Sequence, residues 1–300
     1  FGNLVEKAAE MILKSERLVI YAGGGIISAD ASGELAQLAE KINAPVTTTL
    51  MGITSFPTEH PLSLGMLGMH GTAYANMAVT NCDLLLALGA RFDDRVTGNV
   101  AQFAPKAKII HVDIDAAELG KNVNVTLGIK SDVKEFLKEL LKALPPKEHK
   151  EWVDTVMDWK ASYPLKYCDE GLKPQYVVEE ICRLTKGKAI IATEVGQHQM
   201  WAAQYYKFKE NRSFISSGGL GTMGFGLPAA IGAQFARRDL VVIDIDGDGS
   251  IRMNLGELET VTTYNLPVKI VVLNNCGDGM VRQWQKLFFK GRFSATDKSL

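Results

Sequence analysis

Two stretches in the second half of the chain carry groups from which chemistry could be built. The run Leu240-Val241-Val242-Ile243-Asp244-Ile245 leads into Gly247-Asp248-Gly249-Ser250, and Val268-Lys269-Ile270-Val271-Val272-Leu273 leads into Asn274-Asn275. Both apolar runs have the length and composition of buried parallel strands. Between them, Leu255, Leu258, Val261 and Thr262 share one face of a helix expected over Asn254 to Tyr264. A strand-helix-strand unit brings both strand ends to one edge of a sheet, which sets Asp248 beside Asn275. One carboxylate, one amide oxygen, a nearby backbone carbonyl and phosphate oxygens make a hard-oxygen set suited to Mg²⁺. The glycines flanking Asp248 let backbone N–H groups approach an anion closely. The bland alternative is a plain turn, against which the asparagine pair at the far end of the second strand weighs.

The first half carries a different set. Gly23-Gly24-Gly25 follows an apolar run over Arg17 to Tyr21, a weak signal for a dinucleotide phosphate site that a tight turn explains equally well. Thr47-Thr48-Thr49-Leu50-Met51-Gly52 ends the next strand. Gly65-Met66-Leu67-Gly68-Met69-His70-Gly71 places three glycines among large flexible side chains, as backbone lying against a flat ligand would. Arg91-Phe92-Asp93-Asp94-Arg95-Val96-Thr97-Gly98 is either a self-paired loop or a presentation of arginines to phosphate and carboxylate groups.

The elements that position these groups alternate. Helices are expected over Leu4 to Lys14, Glu34 to Ile42 and Val133 to Leu144, and strands over Arg17 to Tyr21, Pro45 to Thr49, Asp83 to Gly89 and Lys108 to Asp115. That pattern predicts a doubly wound parallel sheet over residues 1–145. Pro145-Pro146 and the charge run after them mark a linker over 146–172, with Trp152 and Trp159 anchoring a polar helix there. A second α/β domain follows over 173–300, with Gln175 to Leu184 helical and Lys188 to Thr193 a strand. The second domain stops without a closing strand-helix pair, so the chain reads as a segment of a longer polypeptide.

Three hundred residues suit two domains, and 46% hydrophobic content is ample for two cores. A net charge of −1 and a pI near 6.6 argue against nucleic-acid and membrane-surface partners. No apolar run reaches the about 18 residues that span a bilayer. Cys82, Cys168, Cys182 and Cys276 are scattered, without zinc-finger or CxxC spacing, which favours reduced thiols.

GDGS followed by NN resembles the diphosphate-and-magnesium motif of thiamine-diphosphate enzymes. Over nearly the whole chain, GGGI, TTTLMG, HPLSLGMLGMHGT, CDLLLALGARFDDRVTG, HVDID, EVGQHQMW, SSGGLGTMGFGLPAAIGA, LPVKIVVLNN and GMVRQWQ are similar, in order, to the catalytic subunits of acetohydroxyacid (acetolactate) synthases. RFDDRVTG and GMVRQWQ are the motifs specific to that family. The resemblance implies two doubly wound parallel-sheet domains, a central FAD domain of the DHS-like type and a thiamine diphosphate domain.

It also implies residues. FAD would be bound by Gly23, Gly24, Gly25, Thr49, Leu50, Met51, Leu67, Gly68, Met69, His70, Gly89, Arg91, Asp93, Arg95 and Val96, with Asp113, Ile114 and Asp132 at the adenosine end. Mg²⁺ would sit on Asp248, Asn275 and the carbonyl of Gly277. Val195, Gly196, Gln197, His198, Gly249 and Ser250 would face the diphosphate. Gly221 and Met223 would receive the aminopyrimidine, with Met223 the wedge that bends the cofactor. Gly279 and Met280 would close over the thiazolium, and Trp284 would select the second 2-keto acid. Gly221, Met223, Met280, Trp284 and Arg95 are the expected catalytic group.

The glutamate that activates the cofactor belongs, in that family, to an N-terminal pyrimidine-binding domain of the neighbouring subunit, so neither Glu194 nor Glu257 takes that role. The reaction implied is decarboxylation of pyruvate and transfer of the hydroxyethyl unit to pyruvate or 2-ketobutyrate, toward the branched-chain amino acids. The resemblance further implies a homodimer or homotetramer with a small regulatory subunit. Its location would be the cytoplasm in a prokaryote, and a plastid or mitochondrion in a eukaryote. Competing readings are another thiamine-diphosphate carboligase of the glyoxylate carboligase or pyruvate oxidase type, and, for this segment alone, a non-catalytic flavin-nucleotide module. The isolated segment is expected to be inactive.

Overall fold

The computed structural model describes residues 1–299. The chain falls into two compact units, Phe1–Lys166 and Tyr167–Leu300.

The first unit is built on a wholly parallel sheet of six strands: β1 (Leu18–Ala22), β2 (Val46–Thr48), β3 (Ser63–Met66), β4 (Leu84–Leu88), β5 (Lys108–Asp113) and β6 (Leu127–Lys130). Their order is β3-β2-β1-β4-β5-β6. β1 and β4, at the centre, are buried at every position because helices cover both faces. Alternation along β1 divides the core: Leu18, Ile20 and Ala22 face one side with the helices Gly2–Lys14, Ser32–Lys41 and Val133–Ala143. Val19 and Tyr21 face the other, with Tyr74, Ala78, Phe92, Trp152 and Val156.

Of the segment 146–172 expected as a linker, the residues up to Lys166 fall within this unit. Trp152 is 5% exposed, its Nε1 donates to the Leu18 carbonyl at 3.0 Å, and its ring meets Trp159 edge-on at 5.7 Å. Lys147 reaches the carbonyls of Ile12 and Leu13.

The second unit has a parallel sheet of four strands: β7 (Ile190–Thr193), β8 (Phe214–Ser216), β9 (Val242–Gly247) and β10 (Lys269–Leu273), in the order β10-β9-β7-β8. β9 is buried throughout. β10, expected as a buried strand, is not: it is the edge of the sheet, with Lys269 and Val272 exposed. The helix expected over Asn254 to Tyr264 is confined to Leu258–Thr263 behind a turn at Leu255–Glu257, while the Asn254 amide is bonded to the carbonyl of Gly224. Among the described residues no helix is long and apolar enough to cross a membrane.

Candidate cofactor sites at the carboxyl edges of the sheets

In both units the strand order reverses direction at an interior point, between β1 and β4 in the first and between β7 and β9 in the second. Loops leaving the carboxyl ends of two such strands part to opposite faces and open a crevice, where ligands bind in open α/β sheets.

In the second unit the loops after all four strands line one cavity of about 240 Å³. Val195 and Gly196 come from the loop after β7, Gln197 and His198 from the first turn of the helix Gln197–Tyr205 that it enters, and Gly221 and Met223 follow β8. Asp248, Gly249 and Ser250 follow β9, and Asn275, Gly277, Gly279 and Met280 follow β10. Every residue expected for the diphosphate, the metal, the pyrimidine and the thiazolium therefore meets in one place. Trp284 lies outside this lining, on the helix Gly279–Phe288, with its ring 4.8 Å from that of Phe288.

Asp248 Oδ1 accepts the N–H of Asn275 at 3.3 Å, and Asn275 Oδ1 accepts the N–H of Gly277 at 3.0 Å. Asp248 Oδ2 is buried and has no hydrogen-bond partner among the described residues. A desolvated carboxylate oxygen left without a donor is costly, and a divalent cation would satisfy it. No cluster of three or more His, Cys, Asp or Glu among the described residues is arranged for a metal, so a cation here would rest on the mixed oxygen set read from the sequence. His198 is buried against the Gly247 turn, and burial takes its pKa down to about 4, so the imidazole is neutral and offers an N–H without charge.

The structure adds residues to which the sequence assigned no role. Trp201 and Asp278 line the cavity, and Asp278 is paired with Lys298 at 3.2 Å. Behind the cavity, Glu194, Asp244 and Asp246 are three buried carboxylates. Burial first, and then the charges of Asp246 and Glu194, push Asp244 up to about 8. Burial raises Asp246 to about 7 in spite of its bonds from Ser250 and Gly247. Two aspartates at i and i+2 in an apolar run was the signal available for them.

In the first unit the expected flavin residues occupy the carboxyl ends of all six strands. Gly23, Gly24 and Gly25 follow β1; Thr49, Leu50 and Met51 follow β2; Leu67, Gly68, Met69 and His70 follow β3. Gly89, Arg91, Asp93, Arg95 and Val96 follow β4, Asp113 and Ile114 close β5, and Asp132 follows β6. The two loops at the reversal touch backbone to backbone. Gly25 N donates to Gly89 O at 3.1 Å, and a Cβ on Gly25 would lie 2.6 Å from the Gly89 Cα. Met51, Met69 and Ile114 expose 47%, 52% and 68% of their surface around the same edge, an uncovered apolar rim of the kind a flat ligand would cover.

Charged groups there are already engaged. The guanidiniums of Arg91 and Arg95 both pair with Asp93, as the self-paired reading of that loop had it. Burial raises Asp93, but the Arg95 N–H, Asp94 and the two guanidiniums outweigh it and hold the carboxyl below its ordinary value. Asp132 caps the helix Val133–Ala143 by accepting the N–H of Lys134 and Glu135. Asp113 accepts the N–H of Asp115.

Comparison with known proteins agrees with this geometry. Residues 5–140 match the family described as thiamine pyrophosphate enzyme, central domain, and residues 194–300 match its C-terminal TPP binding domain. The chain is 50% identical over 299 residues to the acetolactate synthase large subunit of Cyanidium caldarium, covering 97% of this chain and 51% of that protein. The chain belongs to the acetolactate synthase large-subunit family of thiamine pyrophosphate enzymes. It is likewise 51% identical to the chloroplastic acetolactate synthase 2 of Nicotiana tabacum over 98% of this chain and 45% of that one. A probable acetolactate synthase large subunit of Methanocaldococcus jannaschii is 50% identical over 97% and 51%. The chain thus spans about half the length of the curated relatives it matches.

Proposed function

We propose that this chain forms the flavin-binding and diphosphate-binding parts of an acetolactate synthase catalytic subunit. The enzyme would decarboxylate pyruvate and transfer the resulting two-carbon unit to a second pyruvate or to 2-ketobutyrate. The observation that carries the reading is the unpartnered Asp248 Oδ2, buried beside Asn275 in a cavity lined from all four strand ends.

Thiamine diphosphate, when bound, supplies the electron sink for decarboxylation. The protein's own residues bind and orient it. Asp248, Asn275 and the Gly277 carbonyl hold Mg²⁺, a set whose single negative charge leaves the cation able to neutralise the diphosphate. Val195, Gly196, Gln197, Gly249 and Ser250 face the phosphates, and His198 adds a neutral N–H. Gly221 and Met223 receive the pyrimidine ring, and Gly279 and Met280 cover the thiazolium. Trp284, one helical turn beyond Met280, selects the acceptor keto acid.

FAD belongs to the crevice of the first unit, where Gly23, Gly25 and Gly89 bring the loops after β1 and β4 into backbone contact. The remaining partners of this reading are further copies of the catalytic subunit and a small regulatory subunit, in the cytoplasm of a prokaryote or an organelle of a eukaryote. Product identity with pyruvate as sole substrate tests it: acetolactate supports the synthase. Acetaldehyde, or acetyl phosphate with hydrogen peroxide, supports a different thiamine-diphosphate enzyme instead.

A further inference from the structure

Glu194 directly follows β7, is 1% exposed, and does not line the cavity. Its carboxylate is nevertheless fully engaged, by three consecutive backbone N–H groups. Oε2 accepts from Gly224 at 2.6 Å and from Phe225 at 3.1 Å, and Oε1 accepts from Gly226 at 2.7 Å. From the opposite direction the Asn254 side chain donates to the Gly224 carbonyl. So close an approach needs glycine at 226, where a Cβ would lie 2.6 Å from the Glu194 nitrogen and 2.7 Å from Asp244 Oδ1.

The segment fastened in this way is otherwise irregular. Residues 217–225 are neither strand nor helix, and Leu220 within them is 95% exposed. Gly221 and Met223 are the two residues of this segment that reach the cavity. Met223 stands between Thr222, whose N–H is donated to Ser217 Oγ within the same segment, and Gly224, whose N–H and C=O are gripped by Glu194 and Asn254. Charge-assisted bonds to backbone amides are about twice as strong as neutral ones, and a buried carboxylate that lost them would be strongly disfavoured.

We propose that Glu194 is the positioning residue of the pyrimidine half of the cofactor site: by fixing the amides of 224–226 it sets where Met223 stands. This inference rests on the assignment of the cavity to thiamine diphosphate. Glu194 acts through the loop, with both oxygens spent on backbone, and does not touch the cofactor.

Inorganic pyrophosphate with Mg²⁺ occupies the diphosphate end alone, which the loops after β7, β9 and β10 form, and so separates the two halves of the site. Calorimetric affinities for Mg-pyrophosphate and for Mg-thiamine diphosphate would be measured on the full-length enzyme and its Glu194→Gln, Glu194→Asp and Asn254→Ala variants. Glu194→Gln turns an amide NH₂ toward backbone donors. It should weaken thiamine diphosphate roughly tenfold while leaving pyrophosphate within about twofold. Glu194→Asp should recover part of the loss, and Asn254→Ala should reproduce its selectivity. Equal losses for both ligands, or no loss for either, would overturn the proposal. If Glu194→Gln does not fold, Asn254→Ala decides by the same comparison. A wild-type enzyme that binds pyrophosphate but not thiamine diphosphate would instead overturn the cofactor assignment beneath it.

Discussion

Gln197 Nε2 donates to Gln283 Oε1 at 2.8 Å, across 86 positions of the chain, and so ties the start of the helix Gln197–Tyr205 to the helix Gly279–Phe288. That helix carries Met280 at the cavity and Trp284 one turn further on. The diphosphate loop and the proposed acceptor-selecting residue are thereby held in one register. Gln283→Ala removes one neutral hydrogen bond, worth about 0.5–1.5 kcal/mol. We expect a rise of roughly three- to tenfold in KM for the acceptor keto acid, with thiamine diphosphate affinity nearly unchanged. Steady-state kinetics with pyruvate and 2-ketobutyrate, beside a cofactor titration, checks the split.

The crevice of the first unit depends on glycine backbones in contact. A methyl group at position 25 would lie 2.6 Å from the Gly89 Cα and 3.1 Å from the Gly89 oxygen, with no flexible side chain to give way. Gly25→Ala should cost about 1–3 kcal/mol by overpacking and should lower the FAD retained through purification. Flavin absorbance per mole of protein, set beside the urea midpoint, measures both effects.

Asp244 ties stability to pH. Its carboxyl, 3.8 ordinarily, is pushed up to about 8 in the folded protein by burial and by its acidic neighbours. Between those values the folded state binds a proton that the unfolded chain has released. The stabilisation is therefore complete below about pH 4 and is lost as pH rises through about 8. Asp246 acts in the same direction. Denaturant midpoints for the second unit should fall from about pH 4 to about pH 8 and level off above it, and Asp244→Asn should flatten that fall without abolishing it.

Trp152 tests where the helix Lys150–Ser162 belongs. Its ring is buried in the core of the first unit and its Nε1 is bonded to the Leu18 carbonyl. Trp152→Ala should destabilise that unit by about 3–5 kcal/mol, read by equilibrium unfolding. A linker helix resting on the surface would lose under about 1 kcal/mol.

The strands that carry the sites were legible because β1 and β4 are continuous apolar runs and β9 is one broken only by Asp244 and Asp246, each ending in a glycine turn. β3 and β6 escaped reading because each is four residues long and interrupted by Gly65 or Gly128. The helix Gly226–Ala236 has two glycines and a proline among alanines, so it shows no amphipathic stripe to read. Trp152 read as a junction residue because its helix begins beyond two prolines and a charge run, while burial in the first core is a property of the folded unit alone. Site residues were legible where a motif stood at a strand end, as with Asp248 and Asn275. Glu194 was seen but its task was not, since three backbone amides leave no mark in the side-chain sequence.

The central claim is that Asp248 holds the metal through which the diphosphate is bound. The direct measurement is calorimetric titration of thiamine diphosphate into the full-length enzyme, with Mg²⁺ and with chelator, for the wild type and for Asp248→Ala. Loss of an outer-shell partner alone costs 10- to 100-fold in metal affinity, so removing a direct ligand should weaken Mg²⁺-dependent binding by more than about 100-fold and leave the remainder insensitive to chelator. Undiminished, magnesium-dependent affinity in Asp248→Ala would contradict the account.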